Sequence, residues 1–213
     1  MKTHDTPEHD YNLERLIFLS DGVFAIVITL LALELRPPAE WDRTFAGLLN
    51  GTGSALLAFA ISFAAVGGFW NAHRLIFARV QQFAPPLVPL NLLLLGFVVL
   101  LPFAARLIFE GGLIGQPFLI YIGVIAAIAT SQSLLWGYAW RAHIIDPRYG
   151  GRVGAMILVT QLAIPLLIAL AGLLLGQGSH PAAILPIFLL VAGLGVQRRR
   201  MLARVAPSPE PAS

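Results

Sequence analysis

The amino-acid sequence predicts an all-α integral membrane protein in which six transmembrane helices cross the bilayer. Of the 213 residues, 57% are hydrophobic and only 12% are charged, whereas soluble domains are about 25% charged. The apolar residues are concentrated in blocks, and a bilayer span needs about 20 such residues. The sequence contains no cysteine, which excludes disulfide bonds, thiol catalysis and thiolate metal sites.

The chain divides into three regions by composition. Residues 1–14 form a polar N-terminal tail, and residues 15–197 contain the six apolar blocks. Residues 198–213 form a C-terminal tail that begins with basic residues and is then predicted to be disordered, because it is rich in Pro and Ser. The first apolar block is long enough to span the bilayer, so we expect a retained helix rather than a cleaved signal peptide.

The six predicted spans are separated by polar segments that carry turn-forming residues. They cover residues 15–35, 53–72, 86–108, 117–140, 153–175 and 181–197. The sixth is the shortest and contains Pro186 and two glycines. Pro102 and Pro165 interrupt the third and fifth spans, but the residues around them do not match. The pattern therefore does not indicate the inverted repeats of a secondary transporter.

The placement of basic residues predicts the orientation of the chain. Eleven of the 14 Lys and Arg residues lie in the N-terminal tail, the even-numbered loops and the C-terminal tail, and three lie on the other side. The positive-inside rule then places both termini in the cytoplasm, which requires an even number of spans. We expect a multi-pass plasma-membrane protein whose C-terminal arginines meet anionic lipid headgroups and do not bind nucleic acid.

The first span carries an acidic residue within its apolar run. On a helical wheel, Leu30 and Leu33 lie within about 40° of Ile26, whereas Asp21 lies about 140° away. Thr29 lies about 60° from Ile26, between the two faces. An ionisable residue within a span almost always faces the bundle interior and has a partner there. The helix is therefore predicted to present an aliphatic stripe on one face and to fasten itself through the other.

The end of the second span supplies candidate partners for this carboxylate. In the segment FWNAHRLIF, residues 69–77, Trp70 and His73 are three apart and share a helix face. Both side chains can donate hydrogen bonds to Asp21. Two simpler interpretations stay open: Trp70 as an interfacial anchor with His73 as a solvated loop residue, and the aliphatic stripe as ordinary helix packing.

Polar residues also occur deep in two later spans. The segment TSQS at residues 130–133 and Gln161 lie within the fourth and fifth spans. We expect these groups to form hydrogen bonds between helices rather than to line a hydrated path.

Several of these segments resemble one known family. The segment RLIFLSDG, residues 15–22, resembles the first helix of the transmembrane protein 175 family, whose signature is Arg, three variable residues and Phe-Ser-Asp. The FWNAHRLIF segment resembles the Trp-x-x-His of its second helix. Asn91 and the pair Pro102-Phe103 look like its third helix. Leu19 stands where the family has Phe, which keeps an apolar side chain there but removes the aromatic ring.

The resemblance implies a potassium-preferring cation channel. In the family's bacterial members four chains assemble, and the first helix of each lines a central pore. By this resemblance Ile26 forms the narrowest layer, Leu30 and Leu33 form further apolar layers of a hydrophobic gate, and Thr29 affects selectivity. The implied partners are a homotetramer, the bilayer, and potassium with other monovalent cations. The implied structural network consists of Arg15, Ser20, Asp21, Trp70 and His73. We add Asn71, which the sequence places at the same depth at the end of the second span.

Other functional classes are less consistent with the sequence. Five histidines are scattered, and there is no HExxH or Ser-His-Asp pattern, so we expect no enzyme, no cofactor and no metal site beyond permeant potassium. Two alternatives stay open. One is a proton-coupled or other secondary transporter, in which Asp21 and His73 would relay protons; the other is a scaffold without transport, which the aliphatic stripe alone would fit.

Overall fold

The computed structural model describes residues 7–37, 41–111, 115–176 and 185–205, and these residues confirm the predicted all-α class. They contain no β-strand and form one short 3-10 helix, Pro147–Tyr149, and seven α-helices. The α-helices are α1 Pro7–Leu33, α2 Phe45–Phe77, α3 Leu87–Val99, α4 Leu101–Gly111, α5 Gln116–Arg141, α6 Gly151–Gly176 and α7 Leu185–Val205.

Five helical segments of the described chain are long and apolar enough to cross a membrane. They are Tyr11–Leu33, Gly51–Phe77, Leu87–Phe109, Gln116–Arg141 and Gly151–Leu174, and they overlap the first five predicted spans. The helix α1 begins at Pro7, before the predicted start at residue 15. The early start is physically reasonable, because proline is favoured in a first helical turn and hydropathy does not detect polar helical residues.

The third span is built from two helices that meet at Leu100. Pro102 has no N–H and cannot donate to the carbonyl four residues earlier, so the helix is interrupted there. The amide of Leu100 instead donates to Phe97 at 3.2 Å, and Ala104 donates to Leu100 at 3.0 Å. The interruption expected at Pro102 is therefore present, whereas Pro165 lies inside the continuous helix α6.

The sixth predicted span differs most from the structure. Residues 181–184 lie outside the described part of the chain, and α7 covers Leu185–Val205. This helix is not among the membrane-length apolar segments, because four arginines occupy its second half. Residues 198–205 are thus helical, and the part of the tail predicted to be disordered falls on residues outside the description.

The two ends of the bundle are held by different contacts. At one end the loops of residues 78–86 and 142–150 pair: Gln81 donates its amide to Ile144, and Asp146 donates its amide to Arg79, both at 2.8 Å. We call this the basic end. Leu13 and Leu202 pack against the same apolar cluster there, so α7 returns the chain to the end where α1 starts.

At the opposite end, an ion pair connects the first helix to the fourth. The Arg106 guanidinium lies 3.7 Å from the Glu34 carboxylate, and both side chains are partly exposed. The even-numbered loops therefore lie at one end of the bundle, and the Arg106–Glu34 ion pair lies at the other. This arrangement supports the prediction that the basic loops share one side of the membrane.

Close packing connects α5 and α6 near the basic end. The indole of Trp136 is fully buried and donates to the carbonyl of Gly154 at 2.9 Å. A Cβ added to Gly154 would lie 2.7 Å from Nε1 of Trp140. A glycine is therefore needed for this approach between the two helices.

Candidate functional site

The two faces of α1 differ sharply in burial. Its buried face packs into the bundle through Leu16, Ser20, Phe24, Val27 and Leu31. The opposite face is left open: the exposed fractions of Ile26, Leu30 and Leu33 are 59%, 39% and 72%. The aliphatic stripe of the helical wheel is thus turned away from the rest of the chain.

Thr29 lies on the same exposed side of α1. Its hydroxyl donates to the carbonyl of Ile26 at 2.7 Å, so its hydrogen is used within the helix. Toward the basic end, the exposed face continues as a groove of about 810 Å³ lined by Leu19, Gly22 and Ile26 among other residues. Leu19, which stands in place of the family's Phe, is 46% exposed there.

Asp21 is hydrogen-bonded to the second helix. Nε1 of Trp70 donates to a carboxylate oxygen of Asp21 at 2.8 Å. Trp70 also receives the guanidinium of Arg74 over its ring, at 5.7 Å from the ring centroid. The structure therefore brings Asp21 and Trp70 together, which is one of the two contacts expected from the sequence.

A second, buried chain of hydrogen bonds lies beside this pair. Asn91 Nδ2 donates to the hydroxyl of Ser20 at 2.9 Å, and His73 Nε2 lies 2.8 Å from Asn91 Oδ1. With the amide in this orientation its oxygen accepts, so Nε2 of His73 carries the proton. All three side chains are at most 1% exposed. Since they belong to α1, α3 and α2, one polar chain fixes three helices together.

The partner of His73 differs from the expectation. Its ring bonds Asn91, not Asp21, and packs against Phe24 and Phe77 with centroids 5.6 Å and 4.6 Å apart. A helical wheel shows which face a residue occupies but not which neighbouring helix reaches it first. No hydrogen bond joins Asp21 to His73, so the geometry does not favour a direct proton relay between them.

Two predicted members of the network lie apart from it. Asn71 accepts from Nη2 of Arg74 at 3.1 Å, and Arg15 lies over the ring of Tyr11, 5.5 Å from its centroid. Across the described ranges, neither bonds Ser20, Asp21 or Asn91. Asn91 belongs to the observed hydrogen-bond network, but the prediction from α1 and α2 did not include it. Its signal is an amide within the aliphatic run PLNLLLLGF.

We define the fastening network as Ser20, Asp21, Trp70, His73 and Asn91. A metal-binding role is not indicated by the described side chains, because no three of their His, Asp or Glu residues form a group. The arrangement has a structural role, because its hydrogen bonds fix one face of α1 near the basic end. Its other face presents aliphatic side chains beyond that point.

Comparison with known proteins gives matches in one family. The family described as endosomal/lysosomal potassium channel TMEM175 matches residues 15–102. A potassium channel of Streptomyces collinus is 32% identical over 140 residues, which cover 63% of this chain and 68% of that protein. A potassium channel of Chamaesiphon minutus is 36% identical over 131 residues, which cover 59% and 64% of the two chains.

One relative, from human, is a much longer protein. The human endosomal/lysosomal proton channel TMEM175 is 40% identical over 100 residues, which cover 43% of this chain but only 20% of the human protein. These relatives are named as ion channels and not as enzymes.

A solved structure agrees with the fold over nearly the whole chain. The crystal structure of a lysosomal potassium-selective channel TMEM175 homolog from Chamaesiphon minutus superposes with a TM-score of 0.62 at 27% identity. The superposition covers 92% of this chain and 100% of that one. Its coverage therefore extends beyond the sequence match at residues 15–102.

Proposed function

Because this chain belongs to the TMEM175 family of ion channels, we propose that it is a potassium channel that prefers potassium to sodium. Four copies surround a central pore, and α1 of each copy lines it. The observation that carries this proposal is the open face of α1, where Ile26 is 59% exposed although the opposite face is buried. The names of the bacterial relatives support potassium as the permeant ion.

In this proposal the gate is hydrophobic. Four Ile26 side chains around one axis leave an opening narrower than a hydrated ion, and such a constriction also blocks conduction by dewetting. Leu30 lies one turn beyond Ile26 on the same face, and Leu33 lies about two turns beyond it. Opening then requires α1 to tilt or rotate, which separates these apolar layers and admits water.

Selectivity in the proposed pore rests on few polar groups. Apolar side chains cannot replace the hydration shell that an ion loses, so discrimination between potassium and sodium is modest. Thr29 contributes the nearest hydroxyl oxygen on the pore side, beside the Ile26 layer. The fastening network acts indirectly, by fixing the rotation of α1 and thereby the direction in which Ile26 points.

We further propose that the protein is a multi-pass plasma-membrane protein with its basic end in the cytoplasm. The pairing of residues 78–86 with residues 142–150 supports one shared side for these loops. The helix α7 carries its arginines to the same end, which is consistent with the positive-inside rule.

Ion flux into liposomes tests the channel proposal. Purified protein is reconstituted in vesicles of defined lipid, and potassium and sodium influx are measured separately. We expect potassium to enter faster than sodium, without saturation at high concentration. Fluxes equal to those of protein-free vesicles would contradict channel function. Saturable counter-flux driven by a pH gradient would instead favour the transporter alternative.

Proton conduction is the second candidate function, and the name of the human relative favours it. The same vesicles, loaded with a pH-sensitive dye, distinguish it from potassium conduction. A proton current that persists without potassium would add this function. A vesicle pH that does not change, even when valinomycin lets potassium balance the charge, would limit the protein to potassium.

A further inference from the structure

A large cavity lies between α2, α5 and α6, away from the exposed face of α1. Its volume is about 720 Å³, within the range of small-molecule sites. Most of its walls are apolar, with Phe118 and Gly172 toward the end away from the basic loops. Arg198 of α7 lines it at the basic end. The cavity is therefore long and apolar with one cationic end.

Gln161 of α6 places an unpartnered amide in this cavity. Its side chain is only 5% exposed, and neither Nε2 nor Oε1 has a hydrogen-bond partner. The neighbouring polar groups in the wall are bonded: Gln132 donates to the carbonyl of Phe69, and Thr160 to that of Met156. An unpaired buried polar group is unfavourable because it has lost its hydrogen bonds to water, so a bound molecule that pairs with Gln161 recovers that cost.

Arg198 lines the cavity at its basic end, and Arg79 lies behind it, close enough for its charge to act on Arg198. Arg79 is 7% exposed, its guanidinium lies 4.7 Å from the centre of the Tyr149 ring, and its Nη1 has no hydrogen-bond partner. Burial and the nearby charge of Arg79 lower the pKa of Arg198, which nevertheless stays protonated. Within the part of the chain that the structure describes, no carboxylate forms an ion pair with either arginine.

We propose that this cavity binds an anionic phospholipid, with its phosphate at Arg198, within reach of the positive charge of Arg79, and an acyl chain in the apolar part. Phosphate oxygens suit guanidinium donors, and the Gln161 amide pairs with a polar group of the lipid below the phosphate. A free phosphate ion would satisfy the arginines but would leave the apolar length of the cavity unfilled. The site is independent of the channel proposal, because it uses none of the residues of the pore face.

Lipid titration of the purified full-length protein tests this site. Phosphatidylglycerol and phosphatidylcholine are added separately in detergent, and bound lipid is counted by native mass spectrometry. We expect phosphatidylglycerol to bind and R198A to weaken its affinity about tenfold or more, since a hydrogen bond to a charged group contributes about 1.5–3 kcal/mol. Equal binding of the two lipids would overturn the proposal.

The matched control is R199A, an exposed arginine next along α7. An arginine that only attracts anionic lipid to the surface contributes about 1 kcal/mol, or about fivefold. We expect R199A to stay within that limit. If R198A and R199A lose affinity equally, the attraction belongs to the surface and the built site is refuted.

A second variant separates the lipid from a free anion. Q161L keeps both arginines and replaces an unpaired amide by an apolar side chain, so it should fold without loss of stability. We expect weaker phosphatidylglycerol binding in Q161L, and no displacement of the lipid by inorganic phosphate alone. Complete displacement by phosphate, or wild-type lipid affinity in Q161L, would overturn the lipid assignment. The lipid assignment would also be overturned if the wild type bound no lipid and R198A lost a contact between subunits. The cavity would then be an interface between copies of the chain.

Discussion

Ile26 and Asp21 lie five residues apart on one helix and are both exposed, but they differ in their contacts. Asp21 is hydrogen-bonded to Trp70 at 2.8 Å, whereas Ile26 contributes an exposed aliphatic surface. In a membrane helix, the charged residue is the usual functional candidate. Here the carboxylate already has a structural partner, so the aliphatic residue is the better place to test conduction.

Ile26 provides a test of the width and hydration of the proposed gate. The substitution Ile26→Asn replaces a branched aliphatic side chain by a polar one, which hydrates an apolar constriction. We expect sodium influx into liposomes to rise, and the ratio of potassium to sodium flux to fall toward one. The control is Leu57→Asn on α2, where the exposed fraction of 55% is close to that of Ile26. Wild-type fluxes in Ile26→Asn would make Ile26 a packing residue.

Asn91 gives a prediction about stability. Replacing it by Leu leaves the buried N–H of His73 without its acceptor, although Ser20 keeps its bond to the Leu16 carbonyl at 2.8 Å. We expect Asn91→Leu to lower the free energy of unfolding by about 1–2 kcal/mol, measured by thermal or denaturant unfolding in detergent. Asn71→Leu removes an exposed asparagine and should have a much smaller effect. Equal stability of the two variants would show that the buried chain contributes little.

Trp70 tests whether Asp21 fastens the helix or meets the ions. In Trp70→Phe the ring remains, but the donor to Asp21 is lost. We expect fewer intact oligomers on size-exclusion chromatography and an unchanged ratio of potassium to sodium flux. Trp41→Phe is the control, because that indole donates to the exposed carbonyl of Thr44 at 2.8 Å. Normal assembly with altered selectivity would place Asp21 in the ion path.

The helices differ in how well the sequence predicts them. Five spans are found because each contains a long apolar run, and the break in the third follows from the missing N–H of Pro102. The start of α1 at Pro7 and the extension of α7 through Arg198 are missed. Both involve polar residues, and hydropathy identifies membrane burial but not helical structure.

The functional site could also be predicted only in part from the sequence, but for a different reason. The faces of α1 follow from its 3.6-residue period, so the exposure of the stripe and the contact between Asp21 and Trp70 could be anticipated. The bond between His73 and Asn91 could not be derived from α1 and α2, because it depends on how closely α3 approaches. Single-helix periodicity carries no information about the distance between helices.

The close contact between helices α5 and α6 at Gly154 can be tested by substitution. In Gly154→Ala the new Cβ would lie 2.7 Å from Trp140, which forces the two helices apart. We expect a loss of about 1–3 kcal/mol in stability, as for other overpacked sites, measured as a lower unfolding temperature. Gly123→Ala in α5 is the matched control, because its Cβ meets no atom within 4 Å. Equal unfolding temperatures would show that the contact adapts without cost.

For the whole molecule, the proposed assembly can be tested by cross-linking. The sequence contains no cysteine, so a single introduced thiol reports on one position. We expect Ile26→Cys to form disulfide-linked dimers in membranes under mild oxidation, since four copies of this residue surround one axis. Leu57→Cys, similarly exposed on α2, should form far fewer. Equal cross-linking at both positions, or a monomeric mass on light scattering, would contradict the tetramer.

The position of the fastening network along α1 also determines how a tilt is distributed. Its hydrogen bonds to α1 are confined to Ser20 and Asp21. Once the Arg106–Glu34 ion pair at the other end of the helix is broken, this turn acts as a pivot and the helix beyond it as a lever arm. At about 1.5 Å per residue, Ile26 lies about 8 Å from the pivot and Leu33 about 18 Å. A tilt of about 10° therefore displaces Ile26 by about 1.4 Å and Leu33 by about 3 Å. The outer layers would widen first, and the last restriction to yield would be the layer nearest the pivot, Ile26.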